Sequence, residues 1–281
     1  MLENANKTPL TGTPKVKTRR TMPFNQLFPN VLTVLALCSG LTAIKFAIEG
    51  QFERAVIALV IACFLDGIDG LAARLLRGTT KFGAELDSLS DAISFGMVPV
   101  ILLFLWAMQG AGAVGWALCL LFAICCVLRL ARFNTMVGDP GLPSWAHNYF
   151  TGVPAPAAAG LVILPMILSF YFEAGVFNSP LVVGLFLATV SFLMVSKVPT
   201  FSIKRVRVPR QFALPMMLLI ATATGFLVTE TWATLGLMGL IYLASIPFSI
   251  ISFRRLSMRG GPSKEELAEA EDESFDIPDQ G

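Results

Sequence analysis

Residues 92–128 read AISFGMVPVILLFLWAMQGAGAVGWALCLLFAICCVL, thirty-seven positions without one charged side chain. A membrane-spanning helix takes roughly 20 mostly apolar residues, so this run holds two of them. Three further charge-free runs, 174–196, 211–229 and 231–253, hold one each. The whole chain agrees: of its 281 residues 55% are hydrophobic and 14% charged, with a mean hydropathy of +0.70. Soluble domains carry about 25% charged residues. A secreted, disulfide-framed or nucleic-acid-binding protein is excluded. The expected fold class is all-α, a polytopic integral membrane helical bundle of about eight transmembrane helices, near 27–48, 53–74, 84–108, 112–133, 153–172, 178–196, 211–229 and 232–253.

The charges that remain are sorted by side. Nineteen of the 21 lysines and arginines fall before the first helix, in the 2–3, 4–5 and 6–7 connections, or after the eighth helix. Only Lys45 and Arg54 lie toward the other side. The positive-inside rule then places both termini in the cytoplasm, as an even helix count requires, and the setting is the inner (cytoplasmic) membrane. Residues 1–22 are polar and basic without an apolar core, and read as a disordered cytoplasmic lead. Residues 257–281 turn abruptly to Gly, Pro, Glu and Asp, and read as an acidic disordered tail. The transmembrane domain is therefore expected over 23–256.

Several residues invite chemistry and receive a plainer reading. The five cysteines lie inside apolar segments and read as small packing groups. The single histidine, His147, is a loop residue with no triad around it. Lys45, four residues before Glu49, is either a snorkelling interface residue or a functional intramembrane lysine. The run Lys204-Arg205-x-Arg207-x-x-Arg210 either holds anionic lipid headgroups or serves topology alone.

Carboxylates inside membrane helices are expensive and mark function by default. Helix 2 ends in Phe64-Leu65-Asp66-Gly67-Ile68-Asp69-Gly70-Leu71-Ala72-Ala73-Arg74, and helix 3 begins Phe82-Gly83-Ala84-Glu85-Leu86-Asp87-Ser88-Leu89-Ser90-Asp91. Spacings of three and four put each aspartate pair on one helix face. The short connection makes the helices antiparallel neighbours, so four carboxylates converge at one interface. Glu85, two residues before Asp87, faces elsewhere. Converging carboxylates repel unless cations neutralise them. An all-oxygen set without His or Cys points to magnesium or manganese, and two such ions form a clamp for displacement at phosphorus. Arg74 suits a phosphate, and Gly67, Gly70, Ala73 and Gly83 leave room for a ligand or a neighbouring helix. Spacing alone leaves three readings open: a metal-dependent phosphate enzyme, a cation-coupled transporter, or a structural acid cluster.

The same residues also form a longer pattern, Asp66-x2-Asp69-Gly70-x2-Ala73-Arg74-x8-Gly83-x3-Asp87-x3-Asp91, with eight defined residues in 26 positions. It resembles the motif of the CDP-alcohol phosphatidyltransferases at every fixed position. Pro29-Asn30-x-Leu32-Thr33 is similar to that family's first-helix element. Leu128-Arg129-Leu130-Ala131-Arg132-Phe133-Asn134 and Gly152-Val153-Pro154-Ala155-Pro156-Ala157-Ala158-Ala159-Gly160 resemble its bacterial, membrane-embedded phosphatidylserine synthase branch, as do the eight spans where simpler relatives have six. Val153 and Ala155 depart mildly from that branch, where Leu and Ser are expected.

The resemblance implies CDP-diacylglycerol as substrate, L-serine as acceptor, and phosphatidylserine and CMP as products. It implies two divalent cations, Mg or Mn, held by Asp66, Asp69, Asp87 and Asp91, with Asp91 also the general base. It implies contacts to the CDP portion from Asn30, Gly70, Arg74, Thr80 and Gly83. For Thr80 the alternative is loop polarity, and for Gly70 and Gly83 helix packing. Arg129 and Arg132, with Asn134 behind them, are candidates for the serine carboxylate or a phosphate; positive-inside anchoring is the alternative. Choline, glycerol 3-phosphate or an inositol compound stays open as the acceptor. Expected partners are membrane lipids and, by family analogy, a second copy in a homodimer; no nucleic acid is expected.

Overall fold

The computed structural model describes residues 24–76, 78, 80–136, 150–172, 175–196, 199–200 and 213–258. His147, the run 204–210 and the readings of the lead and of the tail beyond Met258 lie outside the described residues.

α1 (Phe24–Ile48) and α2 (Phe52–Leu75) form an antiparallel hairpin. It turns through Glu49–Gln51, where Gly50 takes φ +74°, a conformation that side chains other than glycine rarely adopt. Alanines make the contact: Ala36, Ala43 and Ala47 of α1 and Ala55, Ala58 and Ala62 of α2 are all buried. Such small faces let two backbones approach, and dispersion then holds them where lipid supplies no hydrophobic drive. The Ser39 hydroxyl donates to the Ala58 carbonyl at 2.7 Å across that seam.

The third rod runs from Lys81 to Ala111 and is not the uninterrupted α-helix that its sequence predicts. α3 (Lys81–Asp91) passes directly into a π-helical turn (Ala92–Met97), then α4 (Val98–Leu103), a second π turn (Phe104–Met108) and a 3₁₀ turn (Gln109–Ala111). Pro99 accounts for the first irregularity. It has no N–H to donate, and its ring would collide with the carbonyl four residues back, so the preceding turn widens. At Gly112, with φ +57°, the chain reverses into α5 (Gly112–Met136), which packs back along the same rod. Phe104 and Trp116 meet edge to face across it, centroids 5.1 Å apart.

α6 (Ala155–Val162) and α7 (Leu164–Phe172) form one rod interrupted at Ile163, two residues before Pro165, where one span over 153–172 is expected. α8 (Pro180–Val195) packs on α5, and α9 (Ala213–Thr229) on α10 (Thr231–Met258). The described residues thus make eight helical rods. Four stretches are long and apolar enough to cross a membrane: Leu27–Ile48, Phe52–Leu75, Lys81–Thr135 and Ala155–Phe172. The third, at 55 residues, doubles back at Gly112 and so supplies two rods. Large apolar side chains also face outward, among them Leu181, Leu185 and Phe192. A soluble monomer could not sustain such a surface, whereas lipid covers it. Among the described residues, the one departure from helix and turn is a two-residue antiparallel bridge, β1 (Phe150–Thr151) with β2 (Pro199–Thr200), pairing Phe150 with Thr200 and Thr151 with Pro199.

Candidate functional site

The last three turns of α2 carry Asp66 and Asp69, and α3 carries Asp87 and, as its final residue, Asp91. The antiparallel packing expected from the short connection brings them together. One carboxylate oxygen from each of Asp66, Asp69 and Asp87 lies within 4.8 Å of the others. Asp91 lies outside that trio, with its carboxyl against that of Asp66. Asp69 is 3% exposed, and its Oδ2, like Oδ1 of Asp91, is buried without a hydrogen-bond partner among the described residues. The described ion pair of the bundle, Lys45 with Glu49 at 3.2 Å, lies at the opposite end of α1, and no described ion pair involves these aspartates.

The energetics follow from that arrangement. Two unit charges 4.8 Å apart repel by about 3–4 kcal/mol at an effective dielectric of ~20. Three such pairs, with the buried Oδ2 of Asp69 left unpartnered, make a stable site only when a cation or proton sits among them. The donor set is hard oxygen throughout, which fits a divalent ion of the magnesium or manganese type. The cluster could hold such a metal ion.

Beside the carboxylates lies a cleft of about 220 Å³ between α1, α2 and α3. Asn30, Gly70, Arg74, Thr80 and Gly83 all line it, together with Asp69 and Asp87. The residues that sequence grouped as one set therefore face one space. Local reasons differ. Thr80 is the N-cap of α3: in extended conformation, it accepts a hydrogen bond from the Gly83 N–H at 2.9 Å through Oγ1. Its polarity is thus not that of a plain loop. A Cβ on Gly83 would stand 2.8 Å from Asn30 Oδ1 and 3.1 Å from Thr80 Oγ1, so glycine lets α1 and α3 close at the cleft wall. A Cβ on Gly70 would meet nothing within 4 Å. A Cβ at Gly83 would thus crowd the contact between α1 and α3, while Gly70 has open space around it. Arg74 donates from Nε to the Gly70 carbonyl at 2.9 Å, which steadies the exposed guanidinium over the cleft mouth.

The α5 candidates separate. Arg129 is half-buried, with Nε buried and unpartnered among the described residues, and its guanidinium is an electrostatic neighbour of Asp91. Asn134 instead donates from Nδ2 to Ser88 Oγ at 2.9 Å, tying the end of α5 to α3 between Asp87 and Asp91. Arg132 is half-buried one turn before the helix end. Glu85 is exposed, as its position two residues from Asp87 requires.

Two polar residues at the site had no role assigned from sequence. Thr33, 4% exposed, donates to the Pro29 carbonyl at 3.1 Å and borders Asp69 from α1. Its position three after Asn30 puts both on one face, which was the available signal. Tyr242 of α10 is an electrostatic neighbour of Arg129, and nothing in the pattern of a charge-free helix singles it out.

A carboxylate cluster that could hold a metal ion and a cleft beside it thus lie together at one end of the bundle. The chain belongs to the CDP-alcohol phosphatidyltransferase family, whose profile matches residues 26–251, and it is a transferase of phosphatidyl groups to an alcohol. It is 38% identical over 232 residues to the CDP-diacylglycerol–serine O-phosphatidyltransferase of Mycobacterium tuberculosis H37Rv, covering 83% of this chain and 81% of that protein. The Helicobacter pylori 26695 protein of the same name is 38% identical over 192 residues, 66% of this chain and 77% of its own. An archaetidylserine synthase from Methanothermobacter thermautotrophicus is 34% identical over 172 residues, 60% of this chain and 67% of its own.

Proposed function

We propose that the chain transfers the phosphatidyl group of CDP-diacylglycerol to L-serine, giving phosphatidylserine and CMP. The observation that carries the reading is the carboxylate cluster bordering a cleft that five nucleotide-contact candidates share. The serine-specific names of the relatives support the acceptor.

Asp66, Asp69, Asp87 and Asp91 would hold two divalent cations, Mg or Mn. When bound, these polarise the phosphoryl oxygens and stabilise charge on departing CMP. Arg74 and the cleft wall at Asn30, Thr80 and Gly83 orient the diphosphate, and Gly70 leaves it space. Asp91 takes the proton from the serine hydroxyl as its oxygen attacks the β-phosphorus. The new O–P bond forms as the bond to the CMP oxygen breaks. Arg129, beside Asp91, receives the serine carboxylate, with Arg132 nearer the opening. Residues 23–256 form the enzyme domain between the lead and the acidic tail. The site opens to the cytoplasm, because 19 of the 21 Lys and Arg residues fall in segments on that side. Acyl chains then remain in the inner membrane while serine and CMP exchange with the cytosol. The unit is a homodimer.

The deciding experiment is CMP release by the purified protein with CDP-diacylglycerol and manganese, comparing serine with choline, glycerol 3-phosphate and inositol. Release that needs both serine and metal is expected; release driven by another alcohol overturns the acceptor. In the same assay Arg129→Ala is expected to raise the serine KM about tenfold or more, the value of a charge-assisted hydrogen bond, and leave the CDP-diacylglycerol KM unchanged. Unchanged serine kinetics would remove Arg129 from the acceptor site.

The two glycines should respond with opposite signs. Gly70→Ala adds a methyl group to open space and raises helix propensity by about 1 kcal/mol, so Tm holds or rises while the CDP-diacylglycerol KM increases several-fold. Gly83→Ala drives a Cβ against Asn30 and the Thr80 cap, so Tm falls along with affinity. Thermal unfolding alongside KM separates them, and a lowered Tm in Gly70→Ala would refute the open-space reading.

A further inference from the structure

The rod that carries Asp87 and Asp91 meets α5 at two described points. The deeper one is bare packing. Gly96, in the π turn, approaches Cys126 so closely that a Cβ on it would stand 3.3 Å from Cys126 Sγ, and both residues are buried. The other point is polar. Asn134 Nδ2 donates to Ser88 Oγ at 2.9 Å, and that oxygen also lies 3.0 Å from the Ala84 carbonyl and 3.2 Å from Asn134 Oδ1. A hydroxyl carries one proton and two lone pairs. The proton serves the Ala84 carbonyl, its nearer acceptor, which leaves a lone pair for the Asn134 amide.

The two contacts are eight residues apart on each element, so the partners run antiparallel in one register. Between them lie Asp91 on one side and Arg129 on the other. Ser88 and Asp91, three apart, share a face of α3; Cys126, Leu130 and Asn134, four apart, form one stripe of α5, with Arg129 three after Cys126. Packing fixes the inner contact, whereas the outer one is a hydrogen bond between a half-buried hydroxyl and an exposed amide. Gly83, Ala84 and Asp87 line the nucleotide cleft, and Ser88 does not. We infer that Asn134 is a positioning residue: through Ser88 it clasps α3 to α5 and so sets the separation between Asp91 and Arg129, across which the acceptor alcohol is held. The inference rests on the reading of Asp91 as base and Arg129 as acceptor contact. It gives Asn134, a candidate for the acceptor's carboxylate from sequence, a different part, in which it holds a helix and touches no substrate.

The test is a double-mutant cycle on the full chain in detergent: Ser88→Ala, Asn134→Ala and the two together, with Ser88→Thr as the variant that keeps the hydroxyl. A neutral hydrogen bond open to water is modest, so kcat/KM for serine is expected to fall about fivefold in either single variant. The pair acts as one unit, so the double variant falls no further, and Ser88→Thr stays within about twofold of the wild-type chain. The CDP-diacylglycerol KM stays within about twofold throughout, because the clasp lies off the cleft wall. Losses that multiply in the double variant overturn the clasp, as do single variants with wild-type kinetics. A loss in Asn134→Ala that Ser88→Ala does not share would make Asn134 a direct acceptor contact and also overturns it. A CDP-diacylglycerol KM that rises in step with the serine effect would show a general disturbance of α3 and has the same consequence. If the wild-type protein releases no CMP with serine, the acceptor reading itself fails and takes this inference with it. Serine-dependent release combined with a multiplicative cycle refutes the clasp alone.

Discussion

Asp91→Asn is expected to lower turnover by roughly 10²–10⁴-fold, the range that a positioned general base contributes, while CDP-diacylglycerol still binds. The separation of the two effects comes from geometry. Asp66, Asp69 and Asp87 keep their oxygens within 4.8 Å of one another without Asp91, so the metal-holding trio survives the substitution. Asp91 stands apart from the nucleotide cleft, and its removal takes nothing from the cleft wall. Asparagine is nearly isosteric, and the substitution takes away one of two carboxylates in contact, that of Asp66 being the other. The fold therefore loses repulsion and no packing. What is lost is the acceptor of the serine proton. Single-turnover CMP release and direct ligand binding on the same preparation measure the two quantities separately. Turnover near that of the wild-type chain would end the assignment of Asp91 as base. Loss of ligand binding with turnover would instead make it chiefly a metal ligand.

The difference between Asp91 and the other three aspartates is something that the spacing could not disclose. Residues three and four apart must share a helix face, so the pairing of Asp66 with Asp69 and of Asp87 with Asp91 is legible in the chain. Charge-free runs are equally legible, because lipid tolerates no unpaired backbone and few charges; the second helix, expected at 53–74, spans Phe52–Leu75. The π turn that begins directly after Asp91 is a different matter. One extra residue in a turn changes the direction of everything beyond it, yet it leaves hydrophobic content untouched, and only Pro99 hints at it. Pro165 was visible too, but membrane helices often run through proline, so its presence did not dictate the break at Ile163. The Thr80 cap lacks the acidic or amide partner three residues on that makes a capping box recognisable, since Gly83 fills that place. Tyr242 and Thr33 are tertiary facts. A phenol in one apolar helix and a hydroxyl in another acquire meaning only when packing sets them against Arg129 and Asp69.

Asp66→Ala is expected to remove metal and activity together. Asp66 belongs to the trio with Asp69 and Asp87, and its carboxyl also lies against that of Asp91. A divalent ion held between α2 and α3 would therefore lose one of its carboxylate ligands. Dications contribute several kcal/mol of charge stabilisation in displacement at phosphorus. At about 1.4 kcal/mol per tenfold this is on the order of a thousandfold in rate or more. Stability supplies an independent readout. A ligand present at about 100 times its dissociation constant stabilises the folded state by about 2.7 kcal/mol, so manganese should raise the Tm of the wild-type chain. In Asp66→Ala that increment should vanish, while the metal-free Tm stays level or rises, because one member of a repelling cluster is gone. Thermal unfolding with and without manganese, read beside manganese titration by electron paramagnetic resonance, keeps misfolding distinct from loss of the ion. A variant that retains the metal-dependent rise in Tm and loses only turnover would show that Asp66 is not a ligand. The centre would then have to be rebuilt from Asp69, Asp87 and Asp91, the three carboxylates that remain.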